Sequence, residues 1–309
     1  MPLKASIVLC TRNRAAILPS ALDSILESSR IEPRIDVEII VVDNGSTDGT
    51  QDVLSEWNKV SGTKAEVLFE PRAGVSRAKN TGISSSSGDV LVFMDDDCHL
   101  SANYMRDLLA HYSGNSGLIV RGGRVELGES ADLPFTIKVE NEVSQLGGEL
   151  HPGGFVHGCN LTLTRGVIDR IGGFDERFGP GAPFKAAEDT EFVYRAYRAG
   201  IPVEYVPDMI NYHYHGRRHP EEIKKLKFFY EYGNGALLAK YRMSNKLLNK
   251  HFYWNVRNSF LELFGGKKFD QELGLSHMTT VAGNLAGAWR YICHALSNRF
   301  GHVAQRGVH

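Results

Sequence analysis

Three consecutive aspartates, Asp95, Asp96 and Asp97, are the residues with the clearest chemical potential in this sequence. They follow an apolar run, residues 90–94, that is typical of a buried strand. Adjacent carboxylates repel one another, and a divalent cation relieves that repulsion. Carboxylate oxygens are ligands that Mg²⁺ and Mn²⁺ prefer. The alternative is an exposed acidic turn before a helix from about Ala102, but a helix cap needs one such residue rather than three, so we favour metal binding.

A second pair of carboxylates, Glu188 and Asp189, begins a predicted helix that runs from near Ala186 to about Ala199. Carboxylates in a first turn are stabilised by the helix dipole, which is one explanation of the pair. The functional alternative is a general base near the metal. Position alone does not distinguish the two.

Two histidines, His213 and His215, lie two residues apart at the end of the last predicted strand. In an extended chain they project from the same face, and the neutral imidazole of either one can bind a metal. A lone histidine is more often structural. This pair is followed by Arg217-Arg218-His219, which favours a site for metal and phosphate.

Polar residues also follow the first two predicted strands. Thr11, Arg12 and Arg14 come after the first, where a hydroxyl and two guanidinium groups can hold a base edge and phosphates. Taken alone, this segment is better explained as a solvated loop. Asp43 ends the second strand, where a carboxylate can accept a hydrogen bond from a base or a ribose hydroxyl. The turn residues after it already explain a helix cap, so Asp43 is not needed for the cap.

These residues are positioned by alternating strands and helices. Continuous apolar strands between helices predict a parallel sheet covered on both faces, which binds ligands at the carboxyl ends of its strands. We predict strands at residues 6–9, 37–42, 66–69, 90–94, 203–206 and 209–214 and helices at 18–28, from the turn at 46–50 to about 57, at 75–84 and after Pro220.

Length and composition limit the classes of protein. The 309 residues suffice for one large domain or two ordinary ones, and 42% hydrophobic with 23% charged residues is typical of globular proteins. The net charge of −1 offers no global field that would favour nucleic acid. The start of the sequence lacks the apolar length of a secretory signal, and no apolar run approaches the roughly 20 residues that span a bilayer.

Four cysteines are spread along the chain, and none belongs to a Cys-x-x-Cys pair. We therefore expect neither a disulfide framework nor a zinc ribbon. We also expect that the protein resides in a reducing compartment. The cysteines are Cys10, Cys98, Cys159 and Cys293.

In their order along the chain, these segments resemble the inverting glycosyltransferases of family 2, over about residues 4–235. The resemblance is carried by the ordered set of motifs rather than by any single motif. They are the opening strand and loop at 6–14, a nucleotide-binding signature at 41–50 (Val-Val-Asp-Asn-Gly-Ser-Thr-Asp-Gly-Thr), a basic helix start at 74–82, the Asp-x-Asp motif at 93–97 (Phe-Met-Asp-Asp-Asp), and acceptor-side segments at 172–178 and 188–192.

The resemblance implies a GT-A fold, which is an α/β, Rossmann-like, mostly parallel sheet with helices on both faces. It implies a catalytic domain over residues 1–219, with a nucleotide-sugar half at 1–100 and an acceptor half at 101–219. The remaining residues, 220–309, would form a helical C-terminal extension.

On the donor side the resemblance implies a nucleotide-sugar site. Thr11 and Asp43 would contact the base, and Lys79 or Arg77 would face the nucleotide or its diphosphate. UDP-sugars are the family's commonest donors, and dTDP- or GDP-sugars are alternatives. The residues assigned to nucleotide-sugar binding are Thr11, Arg12, Arg14, Asp43, Arg77, Lys79, Asp95 and Asp96.

The resemblance also implies a divalent cation, Mn²⁺ or Mg²⁺, as cofactor. Asp97 would bind it, and Asp95 would touch the ribose or the metal. His213 falls where some members of the family place a further ligand, and His215 is the alternative.

On the acceptor side Asp189 would be the catalytic base with Glu188 beside it, and Phe174, Asp175 and Glu176 would bind the acceptor. This acceptor would be a hydroxyl of a glycan or of a lipid-linked molecule, as in polysaccharide biosynthesis. One base opposite the leaving diphosphate gives inversion, because a double displacement needs a second, nucleophilic carboxylate. Residues 179–187 form a longer connection than is common in the family, which leaves the acceptor contacts open.

Other functions fit these residues less well. A nicotinamide-dependent enzyme would need Gly-x-Gly-x-x-Gly after the first strand, where Thr11-Arg12-Asn13-Arg14 stands. A metal-dependent phosphohydrolase shares the strand-end aspartates but not the later acidic groups and histidines. A catalytically degenerate nucleotide- or glycan-binding protein would not need all of those carboxylates.

The C-terminal region interleaves lysines with aromatic residues, beginning at Lys224, Lys225 and Lys227. Such a helix can lie on an anionic membrane, although we favour packing against the catalytic domain. Residues 278–296 are apolar but interrupted by polar side chains, so we expect a packing helix, a dimer contact or a membrane-facing surface. We expect a protein of the cytoplasm or the inner face of the membrane that binds no nucleic acid and can form homo-oligomers.

Overall fold

The structure is a computed structural model that describes residues 2–63, 65–114, 117–147, 150–241 and 246–306. The chain divides into two compact units. The first unit comprises Met1–Gly147, Pro152–Glu176 and Glu188–Arg218, and the second comprises Gly148–His151, Arg177–Ala187 and His219–His309.

The first unit is built on one mixed sheet whose strand order is β3-β2-β1-β4-β8-β6-β9-β5, with β7 beside β9. Its strands are β1 (Lys4–Thr11), β2 (Asp36–Asp43), β3 (Glu66–Phe69), β4 (Val90–Asp95), β5 (Cys98–Leu100), β6 (Val120–Leu127), β7 (Ser144–Gln145), β8 (Leu161–Thr164) and β9 (Val203–His213). Its helices are α1 (Leu18–Ile31), α2 (Thr50–Val60), α3 (Val75–Ser85), α4 (Tyr104–Tyr112), α5 (Gly166–Ile171) and α6 (Glu188–Arg198).

The first four strands are parallel, as the alternation of apolar runs and helices predicts. β1 lies between β2 and β4, and β3 pairs with the outer side of β2. Their registers bring the strand ends together, because Thr11 lies opposite Asp43 and Cys10 lies opposite Asp95. The polar residues that follow these strands therefore share one edge of the sheet.

Both faces of this half of the sheet are covered, which confirms the α/β prediction. Ile7 and Leu9 of β1 belong to a buried cluster with residues of α1, α2 and α4. Val8 points to the other face and belongs to a cluster that includes residues of α6. The adjacent helix α3 approaches β1 closely at Gly82, where an added Cβ would collide with Val8.

The other half of the sheet is mixed in direction, which the sequence patterns did not predict. β8 is antiparallel to both β4 and β6, whereas β6 and β9 are parallel. The two short strands predicted at 203–206 and 209–214 are one strand, β9, with a register shift opposite Gly123 and Arg124. The short strand β5 was also missed, and it pairs with the end of β9.

Helix α6 begins two residues later than the predicted start near Ala186. The residues Lys185 and Ala187 have φ values of 63° and 66°, a left-handed conformation that a right-handed helix cannot contain. The helix therefore begins at Glu188. This places Glu188 and Asp189 in its first turn, where backbone N–H groups are free of helical partners.

The second unit contains α7 (Pro220–Lys240), α8 (Lys246–Leu263) and α9 (His277–Arg306). α7 and α9 pack closely at two glycines, since a Cβ on Gly235 would collide with Asn284 and one on Gly287 with Tyr232. Among the described residues, no helix has the length and apolarity needed to cross a bilayer.

Candidate active site

The aspartate at the end of β2 is buried and holds the turn that follows it. One carboxylate oxygen of Asp43 accepts the N–H of Ser46 at 2.8 Å, and the other accepts the side chain of Gln51 at 2.8 Å. Asp43 thus fixes the turn, a role that the sequence patterns did not predict, while Asp48 rather than Asp43 accepts the N–H of Thr50 at the start of α2, at 3.0 Å. Thr11, the neighbour of Asp43 on β1, is also buried.

Asn44, which the sequence analysis did not single out, connects this turn to the start of α3. Its amide nitrogen donates to the carbonyl oxygens of Glu70 and Arg72, both at 2.9 Å, and its oxygen accepts the N–H of Gly74 at 2.9 Å. These bonds fix the first turn of the helix that carries Arg77 and Lys79.

Lys79 is a buried cation at the centre of the acidic groups. Its Nζ lies 3.5 Å from Glu188 Oε1 and 5.2 Å from the centre of the Phe174 ring. Burial alone would lower the pKa of Lys79, but the carboxylates of Glu188, Asp95 and Asp189 raise it. Lys79 therefore stays charged and compensates part of the negative charge around it.

The three aspartates after β4 do not form an exposed acidic turn, so that alternative is wrong. Only 7% of Asp96 and 9% of Asp97 is exposed. Burial raises the pKa of Asp96 to about 7, with Arg14 Nε 3.5 Å from its carboxylate. Burial also raises the pKa of Asp95, against the opposing charge of Lys79. The buried carboxylates of this site therefore outnumber the positively charged side chains beside them.

The two candidate histidines are in different situations. His213 Nε2 lies 3.4 Å from Asp97 Oδ1. Burial opposes the charged form of His213, but the contact with Asp97 raises its pKa to about 9. The pKa of Asp97 is lowered, because the contact with His213 outweighs the effect of burial.

Both ring nitrogens of His215 are already engaged. Its Nε2 donates to the carbonyl oxygen of Leu133 at 3.1 Å, and its Nδ1 accepts the N–H of Arg217 at 3.0 Å. This arrangement requires the neutral ring, in agreement with a pKa lowered by burial. His215 therefore supports the loop, and of the two histidines His213 is the one placed beside Asp97.

Three potential metal ligands lie close together beside the aspartates: a carboxylate oxygen of Asp97, the sulfur of Cys98 and a ring nitrogen of His213. Their ligand atoms lie within 4.8 Å of one another, and all three residues are buried. Carboxylate and imidazole are donors that Mn²⁺ and Zn²⁺ accept, so this group fits a divalent cation. Cys98 was not predicted here, and the predicted ligand Asp95 lies outside this group.

Asp189 is held by backbone amides in the first turn of α6. Its Oδ2 accepts the N–H of Gly158 at 2.9 Å, and its Oδ1 accepts the N–H of Thr190 at 2.6 Å. A Cβ on Gly158 would come within 3.2 Å of Asp189 and 3.3 Å of Lys79 Nζ, so this position favours glycine. Burial raises the pKa of the neighbouring Glu188 to about 7, against the opposing charge of Lys79.

His157, just before Gly158, is a further titratable group that the sequence did not reveal. Burial lowers its pKa to about 4, although the charge of Asp189 opposes this shift. His157 is therefore neutral near pH 7. No spacing signal in the sequence connects it with Asp189, 32 residues later.

Phe174 is a buried wall of the site rather than an open platform. The side-chain amide of Asn80 accepts the N–H of Phe174 at 2.8 Å and donates to its carbonyl oxygen at 2.9 Å. The Phe174 ring stacks on Phe192 with centroids 4.7 Å apart. Asn80 was not predicted, and it couples α3 to the segment before α6.

The remaining predicted residues lie nearer to solvent. Arg12 and Arg14 are exposed in the loop after β1, and Asp175 is half-buried. Arg77 Nε lies 3.4 Å from Glu176 Oε2, and the side chain of Glu176 is 41% exposed. The structure thus brings Lys79 together with Asp95, Glu188 and Asp189. The predicted residues Arg12, Arg14 and Glu176 are more exposed to solvent than this buried group.

The sequence matches the family model described as glycosyl transferase family 2 over residues 6–170. Glycosyltransferase AglE of Haloferax volcanii is 25% identical over 216 residues, which are 67% of this chain and 66% of that protein. Validoxylamine A glucosyltransferase of Streptomyces hygroscopicus subsp. jinggangensis is 27% identical over 233 residues, 64% of this chain and 52% of that protein. The chain thus spans between about half and two thirds of the length of these curated relatives.

Two solved structures resemble this one in fold. Residues 1–349 of Staphylococcus aureus TarS give a TM-score of 0.56 at 17% identity, covering 84% of this chain and 74% of that one. The mannosyltransferase PcManGT of Pyrobaculum calidifontis, in complex with GDP-Man and Mn²⁺, gives 0.58 at 17% identity, covering 98% and 76%. Their fold is GT-A, as the sequence predicts, and with the family match over more than half its length the chain belongs to glycosyl transferase family 2.

Proposed function

We propose that this protein is a metal-dependent inverting glycosyltransferase that moves a sugar from a nucleoside-diphosphate sugar to an acceptor hydroxyl. The observation that supports this most directly is the buried group of Lys79, Asp95, Glu188 and Asp189 beside the Asp97–His213 pair. In this group, residues that can bind a cation and a diphosphate lie close to a carboxylate that can accept a proton from the acceptor hydroxyl. The catalytic domain would comprise residues 1–219.

Asp97 and His213 would hold the divalent cation, with Asp95 close by. A bound Mn²⁺ or Mg²⁺ would neutralise the leaving diphosphate. Lys79 would add a second positive charge, and Arg14, 3.5 Å from Asp96, would add a third from the loop after β1. The excess of buried carboxylate over cation is what such an ion would compensate.

Asp189 would be the general base. The backbone amides of Gly158 and Thr190 donate to its two carboxylate oxygens and hold the carboxylate in place. Two other carboxylates lie in this turn: Glu188 faces Lys79 at 3.5 Å, and Glu191 is paired with Arg195 at 2.9 Å. With both of these carboxylates paired with cations, a single base would remain for the acceptor hydroxyl, which corresponds to direct displacement and inversion.

The donor is proposed as a UDP-sugar, with dTDP- and GDP-sugars as alternatives. TarS has been solved with UDP and with UDP-GlcNAc, and PcManGT with GDP-Man and Mn²⁺. Thr11 and Asp43 would line the base pocket at the ends of β1 and β2. The acceptor would be a hydroxyl of a glycan or of a lipid-linked molecule, approached past Asp175 and Glu176.

Thermal unfolding with a panel of nucleoside diphosphates tests the donor site. Each diphosphate is added with Mn²⁺, with Mg²⁺ or with EDTA. Ligand at about 100 times its Kd stabilises the native state by roughly 2.7 kcal/mol, so a selective, metal-dependent rise in Tm is expected. Asp97→Asn should abolish the rise, whereas Asp169→Asn on the exposed side of α5 should keep it. A rise that is the same in EDTA would exclude metal-dependent binding.

Asp189→Asn separates binding from chemistry. The variant should bind the diphosphate as the wild type does but lose roughly 10²–10⁴-fold in kcat, because it has no base for the acceptor hydroxyl. Turnover is measured as diphosphate released from the nucleotide sugar over a panel of glycan acceptors. Normal turnover in Asp189→Asn would remove Asp189 from the mechanism, and binding without turnover in the wild type would indicate a degenerate binding protein.

A further inference from the structure

Exposed apolar side chains are concentrated in the second unit. Of the twenty large hydrophobic residues that are strongly exposed in the described part of the chain, eleven lie within residues 253–296. The other nine are scattered over residues 31–214. Isolated exposed apolar residues are ordinary, but a concentration of this kind marks an interaction surface.

Five of the eleven form a stripe along α9. They are Met278, Leu285, Trp289, Ile292 and Leu296, and their exposures range from 45% for Ile292 to 68% for Trp289. They are separated by seven, four, three and four residues, which places them on one face of a helix. The inward residues of α9 pack on α7, where Asn284 donates to the carboxylate of Glu231 at 2.7 Å. The helix is therefore amphipathic, with its apolar stripe outward.

The exposed end of α8 lies beside the start of this stripe. Glu262 Oε2 accepts the N–H of His277 at 2.9 Å, and the Trp254 ring lies 5.0 Å from the His277 ring. Exposed apolar residues of this end are Tyr253, Trp254, Phe260, Leu261, Leu263 and Phe264, the last of them 89% exposed. We call these residues, together with the α9 stripe, the apolar surface.

Exposed basic residues accompany the apolar surface. Arg257, Lys267, Lys268 and Arg290 are exposed, and none of them forms an ion pair with another described residue. Residues 219–309 contain 13 Lys and Arg against 6 Asp and Glu, a net charge of +7. Residues 1–218 contain 22 against 30, a net charge of −8. The nearly neutral chain thus has a basic C-terminal region.

We propose that the apolar surface lies on an anionic lipid membrane, with Trp254, Trp289 and Phe264 in the interface. Aromatic and aliphatic side chains flanked by lysine and arginine are what a helix at such an interface requires. A second copy of this chain is a poorer occupant, because two basic surfaces would repel each other. The proposal does not depend on the transfer reaction, but it would bring the enzyme to a lipid-linked acceptor.

Flotation of the full chain with lipid vesicles tests this. Vesicles of phosphatidylcholine with phosphatidylglycerol should carry the protein, and vesicles of phosphatidylcholine alone should carry little. Trp289→Glu should lower the partition coefficient by at least about tenfold, because it places a charge in the apolar stripe. The matched control is Val60→Glu on α2, where the native side chain is 72% exposed, and it should bind as the wild type does.

The basic residues are tested separately. Lys267→Ala with Lys268→Ala should weaken binding to the anionic vesicles by about fivefold for each lysine, and high salt should reproduce the loss. Lys59→Ala in the first unit is the control. Tm and diphosphate binding are measured for every variant, so that a failure to fold or to bind donor is seen apart from a failure to bind lipid.

Equal binding of wild type and Trp289→Glu to anionic vesicles would overturn the proposal. So would a wild type that ignores both kinds of vesicle but forms a concentration-dependent dimer by light scattering that Trp289→Glu dissociates. Loss of vesicle binding in Trp289→Glu, with unchanged Tm and donor binding, would support it.

Discussion

Each unit of this protein contains a buried lysine beside a glutamate, and the two pairs are built differently. In the second unit Lys227 Nζ lies 2.6 Å from Glu231 Oε1, and Asn284 donates to the other carboxylate oxygen at 2.7 Å. In the first unit Lys79 lies 3.5 Å from Glu188, and Asp95 and Asp189 add their charge to the same lysine. In the second unit one lysine neutralises one glutamate at hydrogen-bond distance. In the first unit one lysine is shared by three carboxylates, so negative charge is in excess.

The pKa values follow this difference. Burial opposes ionisation of Glu231, but the charge and hydrogen bond of Lys227 lower the pKa of Glu231, so this carboxyl is ionised at neutral pH. Burial raises the pKa of Glu188 to about 7 in spite of Lys79, because the lysine is shared. A neutralised ion pair stabilises one conformation. An excess of buried carboxylates instead favours the binding of a cation or of a proton. The comparison therefore separates a structural pair from a candidate catalytic group.

Removing each lysine tests this comparison most strongly. Lys227→Met should lower the free energy of unfolding by about 3–5 kcal/mol, because it leaves Glu231 buried without its partner. Lys79→Met should cost less than half of that, since Glu188 can take up a proton at neutral pH. The measurement is urea unfolding at pH 7 without divalent cations, with Lys59→Met as the exposed control. Equal losses for the two buried lysines would break the comparison.

The raised pKa of Glu188 predicts a pH dependence of stability. The carboxyl of Glu188 has a pKa of about 7 in the folded state and 4.5 in the unfolded state, so it stays protonated to a higher pH in the folded protein. Stability should therefore fall as pH rises from about 5 to 8, by roughly 2–3 kcal/mol relative to Glu188→Gln, in which this titration is absent. Urea unfolding of the metal-free pair across this range measures the difference. Parallel curves would show that Glu188 ionises normally, and Glu27→Gln on α1 is the exposed control.

The two histidines predict the smallest effect. His213→Ala should weaken Mn²⁺ binding by at least about tenfold, because it removes the imidazole beside Asp97. His215→Ala should leave Mn²⁺ affinity nearly unchanged but lower Tm, because both of its ring nitrogens support the loop. Free Mn²⁺ followed by electron paramagnetic resonance gives the affinity. A larger loss for His215→Ala would reverse the assignment.

Much of the fold could be predicted because its signals are local. The strands at 37–42, 66–69 and 90–94 were found from their apolar runs, and the parallel order followed from the helices between them. The mixed half of the sheet could not be predicted in this way. Its strands pair across long sequence separations, and their direction depends on which strand lies next to which, as for β8 between β4 and β6.

The candidate site shows the same division. Asp95, Asp97, Glu188 and Asp189 were found because carboxylates in unusual local patterns are visible in one sequence. Asn44, Asn80 and Gly158 were missed because each acts on a partner about 30 or more residues away. Cys98 was missed because its place opposite His213 depends on the pairing of β5 with β9.

Local sequence was thus sufficient to establish an α/β sheet and an acidic strand end, because side-chain periodicity and repulsion between adjacent carboxylates act over a few residues. Long-range packing settled the rest. It engaged both nitrogens of His215, left His213 beside Asp97, and placed one lysine among three carboxylates. These outcomes depend on burial and on distances between side chains remote in the sequence, which exist only after the chain has folded.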